Sequence, residues 1–145
     1  MAILGIGHDV VDVRAFGEQL EMPGSRGRSL FSARELRQAR MRAGCKNDGE
    51  AVHLAGKWAA KESVVKAWCA ALGSGPAPYT LDNTPWAGIE VLNEANGCPH
   101  IVLGGEAERR LRASVGTPGG ADLCWFVSIS HDSPIASAVV VLCAQ

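Results

Sequence analysis

The sequence predicts an α+β domain: an antiparallel sheet carrying one long central helix, with shorter helices packed on it. Three observations carry that expectation. Leu54, Trp58, Lys61, Val65, Trp68 and Leu72 recur at steps of three and four, the stripe of a core-facing helix. Residues 123–130 and 135–142 are β-prone and flank His131-Asp132-Ser133-Pro134, so they read as a hairpin. A second strand pair is expected at 86–92 and 100–103, around a turn at 93–97.

In chain order, the apolar run at 2–7 reads as a short buried strand ending in Gly5-Ile6-Gly7. Residues 10–20 follow as a short helix, closed by Met22-Pro23-Gly24. Ser32 with Glu35 three residues later is a capping box, opening a helix to about Arg42. Residues 45–49 are polar and turn-rich. The long helix spans 50–72 and is stopped by Gly73-Ser74-Gly75-Pro76. Pro76, Pro78 and Pro85 make the next stretch a loop, and 106–115 is a helix exposing Arg109, Arg110 and Arg112. Gly116 to Gly120 is a flexible loop. With no repeat or low-complexity segment, residues 1–145 read as a single domain, burying about two thirds of its unfolded surface.

Composition narrows the function classes. The chain is 47% hydrophobic and 20% charged, with a mean hydropathy near zero. No apolar run approaches the roughly 20 residues of a membrane span, and no charged region precedes an apolar leader. Five widely spaced cysteines without a Cys-x-x-Cys pair fit reduced thiols in a cytoplasmic protein and disfavour structural zinc. The first 66 residues hold eleven Lys/Arg against eight Asp/Glu, the remainder three against seven. Within 14–46, Arg14, Arg26, Arg28, Arg34, Arg37, Arg40, Arg42 and Lys46 face only Glu18, Glu21 and Glu35. This is either a solvated basic face or a docking surface for an acidic partner. Nucleic acid is a poorer fit, because that segment's only aromatics are Phe16 and Phe31 and the chain is slightly acidic overall.

The chemistry-bearing residues begin with Lys61, an ammonium inside an apolar stripe, where burial is costly without a partner or a route to solvent. Lys57, Glu62 and Lys66 border the same face. Asp9 follows the Gly5–Gly7 pair, either as a site residue or as the cap of the next helix. Ser128 and Ser130 share one strand face ahead of His131 at a hairpin tip, which is also an ordinary place for a surface His and a turn Asp. Together, Asp9 and Glu62 offer hard oxygens suited to Mg²⁺. The lysines offset phosphate charge, and Ser128, Ser130 and His131 donate to a further phosphate or nucleotide. The set describes Mg²⁺-assisted chemistry on a diphosphate.

These residues also match a family. Gly5-x-Gly7-x-Asp9, Phe31-Ser32-x-x-Glu35, Trp58-Ala59-Ala60-Lys61-Glu62-Ser63-x-x-Lys66-Ala67, Gly97-x-Pro99 and Val127-Ser128-Ile129-Ser130-His131 occur in order across nearly the whole chain. They resemble the holo-acyl-carrier-protein synthases, small homotrimeric 4′-phosphopantetheinyl transferases. The resemblance implies transfer of 4′-phosphopantetheine from coenzyme A to a serine of an apo-acyl carrier protein, or of a carrier domain of a fatty acid synthase. Adenosine 3′,5′-bisphosphate would be released. It implies Asp9 and Glu62 as Mg²⁺ ligands, and Lys57, Lys61 and Lys66 as phosphate holders. Ser130 and His131 would sit at the 3′-phosphate end, and the Gly97–Pro99 turn near the adenine. Arg14 and its basic neighbours on 14–46 would receive the carrier's acidic helix. The Mg²⁺ site would make Asp9, Glu62 and Lys66 the catalytic group, with Glu62 as the base for the serine proton, directly or through water. Lys57 stands where the family often has Arg, and Trp58 where it usually has Phe. The 73–85 and 116–122 loops look longer than in compact members. Sites completed at subunit interfaces are expected from the homotrimer.

Two rival readings compete. One is a metal-dependent phosphohydrolase using His8-Asp9 and His131-Asp132 with His53, whose imidazoles would select a transition metal. The other is a non-catalytic module that binds acidic proteins through 14–46, which leaves Lys61 unexplained.

Overall fold

The computed structural model describes residues 1–145, apart from the side chain of Pro118. β1 (Ala2–Asp12) continues through Gly5, Gly7 and Asp9 rather than ending at Gly7. Asp12, not Asp9, caps α1 (Val13–Glu21), accepting the Ala15 N–H at 2.9 Å. A 3₁₀ turn at Gly27–Leu30 leads into α2 (Ala33–Lys46), where the Ser32–Glu35 capping box forms. α2 runs a turn past Arg42 and ends on Asn47 in the left-handed conformation. α3 (Glu50–Leu72) has the bounds read from the sequence. Trp86–Gly88 is a 3₁₀ turn rather than strand, so β2 (Ile89–Asn93) starts later and pairs with β3 (Pro99–Leu103). α4 (Gly105–Val115) and the hairpin of β4 (Leu123–Asp132) and β5 (Ile135–Ala144) complete the α+β fold.

The expected sheet is divided in two. β1, β5 and β4 form one antiparallel sheet with β5 in the middle, and β2 and β3 form a separate ribbon. α3 packs against both. Its apolar stripe is only part of what it buries, for Ala55, Gly56, Ala59, Ala60, Ser63 and Ala67 are also buried. This small-residue face lets helix and sheet backbones come close. Gly5 and Gly7 complete the approach from β1, since a Cβ at either would collide with the Ala67 or Ser63 carbonyl of α3. The glycines therefore serve helix packing rather than ligand access. Along the same face the Ser63 hydroxyl donates to the Ala138 carbonyl of β5 at 3.1 Å. Val64, Trp68, Ile89, Leu111, Val140 and Leu142 close the main core.

The other face of the three-stranded sheet is uncovered. Ile6 and Val10 of β1, Phe126 of β4 and Val139 of β5 are exposed there. Gly7→Ala forces β1 off α3. It is expected to lower unfolding stability by at least about 2 kcal/mol, measured as a fall in the urea midpoint, because the backbone on both sides cannot give way.

Candidate active site

β1 and α3 bring Asp9, Glu62 and Lys66 together. Asp9 lies within β1, opposite Ala138, on the side facing α3. The Lys66 ammonium donates to Asp9 Oδ1 at 2.8 Å and to the His8 carbonyl at 3.0 Å. Glu62 lies near enough to Asp9 for the two carboxylates to interact. Partial burial, followed by the charge of Asp9, pushes the Glu62 carboxyl up to about 6, and Lys66 opposes the shift. Two carboxylates held this close repel when both are ionised, and a divalent cation relieves that repulsion. The donor set also suits Mg²⁺, which takes one or two protein carboxylates and fills its shell with phosphate and water.

A second cluster lies five residues back along α3, on the side facing β2. Lys57 is almost wholly buried and donates to the Val91 carbonyl and to Asn93 Oδ1. Asn93 in turn donates to the Gly97 carbonyl at 3.1 Å. Burial pushes the Lys57 ammonium down to about 8; Glu35 works against that shift, while Lys61 and Arg42 add to it. Lys57, Gly97, Pro99 and His131 line a cleft of about 110 Å³ with Arg42 and His53. His53 and His131 meet edge to face at 5.9 Å, and His53 Nε2 is 2.6 Å from Asp48 Oδ1.

Lys61 belongs to neither cluster, which corrects its reading as a phosphate holder. It is wholly buried, and its ammonium donates to Glu35 Oε1 at 2.7 Å, the Trp86 carbonyl at 2.7 Å and the Ile89 carbonyl at 2.6 Å. Three donors are spent, so none remains for a phosphate. The partner demanded by the apolar stripe is the capping-box Glu35, whose carboxylate also accepts the Ser32 and Val91 N–H groups. Ser130 is displaced as well. Strand alternation turns it to the sheet face opposite Ile129 and His131, so Ser130 and His131 do not share one pocket within a subunit.

Arg42, Asn93 and Glu35 were not anticipated in these positions. Arg42 belongs to the basic 14–46 segment by charge balance alone, and the structure sets it at the inner cleft instead. Asn93 had no local signal. The capping box marked Glu35, and a buried lysine needing an acid was the only hint of its second role. The His-Asp pairs of the rival hydrolase diverge: His8 bonds Ser137 Oγ at 2.9 Å, whereas His131 lines the inner cleft. Among the described residues no three His, Cys, Asp or Glu side chains gather to hold a metal.

Comparison with known proteins places this geometry in context. Residues 5–135 match the model of the 4'-phosphopantetheinyl transferase superfamily. The chain is 60% identical over 143 residues to a holo-acyl-carrier-protein synthase of Bifidobacterium animalis subsp. lactis, covering 97% of each. It is 51% identical to that of Bifidobacterium adolescentis, covering 97% of this chain and 99% of the other. Among solved structures it is similar to the ACPS-CoA complex of Chronobacterium ammoniagenes, with a TM-score of 0.86, 37% identity, and coverage of 100% and 99%. It also resembles the acyl carrier protein synthase of Mycobacterium tuberculosis, with a TM-score of 0.69, 30% identity, and 99% of each chain covered.

Because removing one member of a buried ion pair strands the other, Lys61→Met is expected to lower stability by about 3–5 kcal/mol. Chemical denaturation measures it. A loss below that range would mean Glu35 is not dependent on Lys61.

Proposed function

Since the chain belongs to the 4′-phosphopantetheinyl transferase superfamily, we propose that it moves 4′-phosphopantetheine from coenzyme A to a serine of an apo-acyl carrier protein. The acceptor is a free carrier or a carrier domain of a fatty acid synthase, and adenosine 3′,5′-bisphosphate is released. The observation that carries this reading is the Asp9–Glu62 pair beside Lys66. Asp9 and Glu62 hold Mg²⁺, which when bound offsets the charge of the diphosphate.

The chain's own groups do the rest. Lys66, half exposed beside the carboxylates, places an ammonium against the diphosphate. The carrier's serine oxygen attacks the β-phosphorus in line; the new P–O bond forms as the bond to the bisphosphate breaks. Glu62 accepts the serine proton, directly or through water. Lys57, His131 and the Gly97–Pro99 turn receive the nucleotide end, with the 3′-phosphate toward His131 and the adenine near the turn.

A single subunit turns Glu62 and Lys57 to different sides of α3, at positions five residues or roughly 7.5 Å of rise apart. A homotrimer answers both this separation and the bare sheet face. Neighbouring copies cover Ile6, Val10, Phe126 and Val139. They also complete each site across an interface, where Ser130 from the outer face meets the nucleotide. The carrier docks on the 14–46 face, where Arg14 is highly exposed. An apolar groove of about 560 Å³ there includes Phe16, Leu20, Met22, Leu30 and Trp58 together with Arg26. All five cysteines are unpaired, as a reducing cytoplasm keeps them.

Incubating the protein with coenzyme A, Mg²⁺ and an apo-carrier should add one phosphopantetheine to the carrier's mass, and only when Mg²⁺ is present. Asp9→Asn and Glu62→Gln should abolish the gain. Glu62→Gln should melt no lower than the parent in metal-free buffer, because it removes a repulsion, whereas Asp9→Asn also gives up the ion pair with Lys66. Near-normal turnover in both would remove the metal site. For docking, Arg14→Glu should weaken carrier binding most at low salt. An unchanged affinity would move the docking face elsewhere.

A further inference from the structure

Cys124 and Cys143 stand directly opposite each other on β4 and β5. Opposed residues of an antiparallel pair point to the same side of the sheet, with Cα atoms about 4.5–5.5 Å apart. That separation falls inside the roughly 4.4–6.8 Å that a disulfide spans. The ladder holds it from both sides, through Trp125 with Leu142 and Leu123 with Ala144. The two thiols also feel one another. Burial first, then the neighbouring Cys143, pushes the Cys124 thiol up. The other three cysteines lie on other elements, Cys45 on α2, Cys69 on α3 and Cys98 in the turn before β3.

The two sulfurs differ in access. Cys143 is only 2% exposed, so a dissolved reagent does not reach it first. Cys124 is partly exposed. The pair forms a row at the strand ends, next to the row of Ile6, Val141 and Phe126. A reachable thiol beside a shielded one is the arrangement of an attacking and a resolving cysteine. The catalytic group is remote from it. Asp9 pairs with Ala138, five residues or about 17 Å along β5 from Cys143.

We propose that Cys124 and Cys143 are a reversible redox pair, which a low-molecular-weight disulfide converts into a cross-strand bond that staples β4 to β5 and leaves the transfer site unchanged. The Cys124 thiolate attacks one sulfur of the small disulfide. A bond to Cys124 forms as the reagent's S–S bond breaks, and the first small thiolate leaves. The Cys143 sulfur gives up its proton, attacks the Cys124 sulfur and expels the second. The two protein thiols lose two electrons, and the reagent becomes two thiols that carry off the two protons. A thiol held up by burial is sparingly ionised at neutral pH. The exchange is therefore slow, and it answers a sustained oxidising poise rather than a brief pulse.

The test incubates the intact, folded protein with oxidised glutathione, alkylates the remaining thiols and maps the peptides by mass. One linked peptide should join Cys124 to Cys143, and dithiothreitol should release it. The oxidised protein should melt about 5 °C or more above the reduced one, because the bond restricts the unfolded chain. Its rate of carrier modification should equal that of the reduced protein. Cys124→Ser should give neither the linked peptide nor the rise in melting temperature. If Cys45 and Cys98 take up glutathione while Cys124 and Cys143 stay unlinked, the pair is overturned. A link that forms only in urea overturns it as well. A linked protein that melts lower than the reduced one, or modifies the carrier more slowly, overturns the staple.

Discussion

The contact on which the structure turns is the near-touching of two backbones, β1 and α3. Gly5 and Gly7 meet the Ala67 and Ser63 carbonyls with no room for a side chain between them. The helix answers with alanine, glycine and serine along the facing side. Such tight apposition leaves few alternative seatings, because sliding either element by one residue would press a Cβ into a carbonyl. It also sets the chemistry. Asp9 extends from the strand two residues past Gly7, and Glu62 precedes Ser63 on the helix, so the packing that places Gly7 places the carboxylates as well.

A second tie holds the other side of α3. The Glu35 carboxylate gathers Lys61, the Ser32 N–H and the Val91 N–H, while Lys61 reaches the Trp86 and Ile89 carbonyls. One pair of side chains thereby joins the start of α2, the middle of α3 and the approach to β2. Buried ion pairs contribute little net stability against an apolar alternative, but they are intolerant of rearrangement. Fixing β2 also fixes Asn93 at its end, and Asn93 orders both Lys57 and the Gly97 turn. The cleft inherits its shape from charges that never meet a ligand.

Much of this was legible in the residues. The bounds of α3 follow from its periodicity and the glycine stop, the α2 start from the Ser32–Glu35 box, and the hairpin from β-prone runs around a proline turn. β1 was read too short because Gly-Ile-Gly looks like a strand end when its neighbours are unknown; only the helix lying on those glycines keeps them in the strand. Lys61 announced that it needed a partner, but sequence distance hides which acid folds onto it, and a ligand was as good a candidate as Glu35. Ser130 and His131 are adjacent in sequence, and strand alternation separates them. Arg42 counted only as one charge of a basic segment, because nothing local says that the Gly97 loop folds against that side of α2.

The placement of β5 between β1 and β4 has a consequence for how the molecule is made. β1 pairs only with β5, so Gly7 must wait for Val140, and Ala2 for Ala144. During synthesis the first strand emerges with its hydrogen-bonding edge and its tightly fitted glycines unmatched until almost everything after it has been translated. Closing so long a loop is entropically slow, and an unpaired strand is an invitation to wrong partners in the interval. α3 is made well before β5 and offers β1 a place to lie, so a helix–strand embrace held by backbone contact can shelter the nascent chain until the final strand slots into the gap.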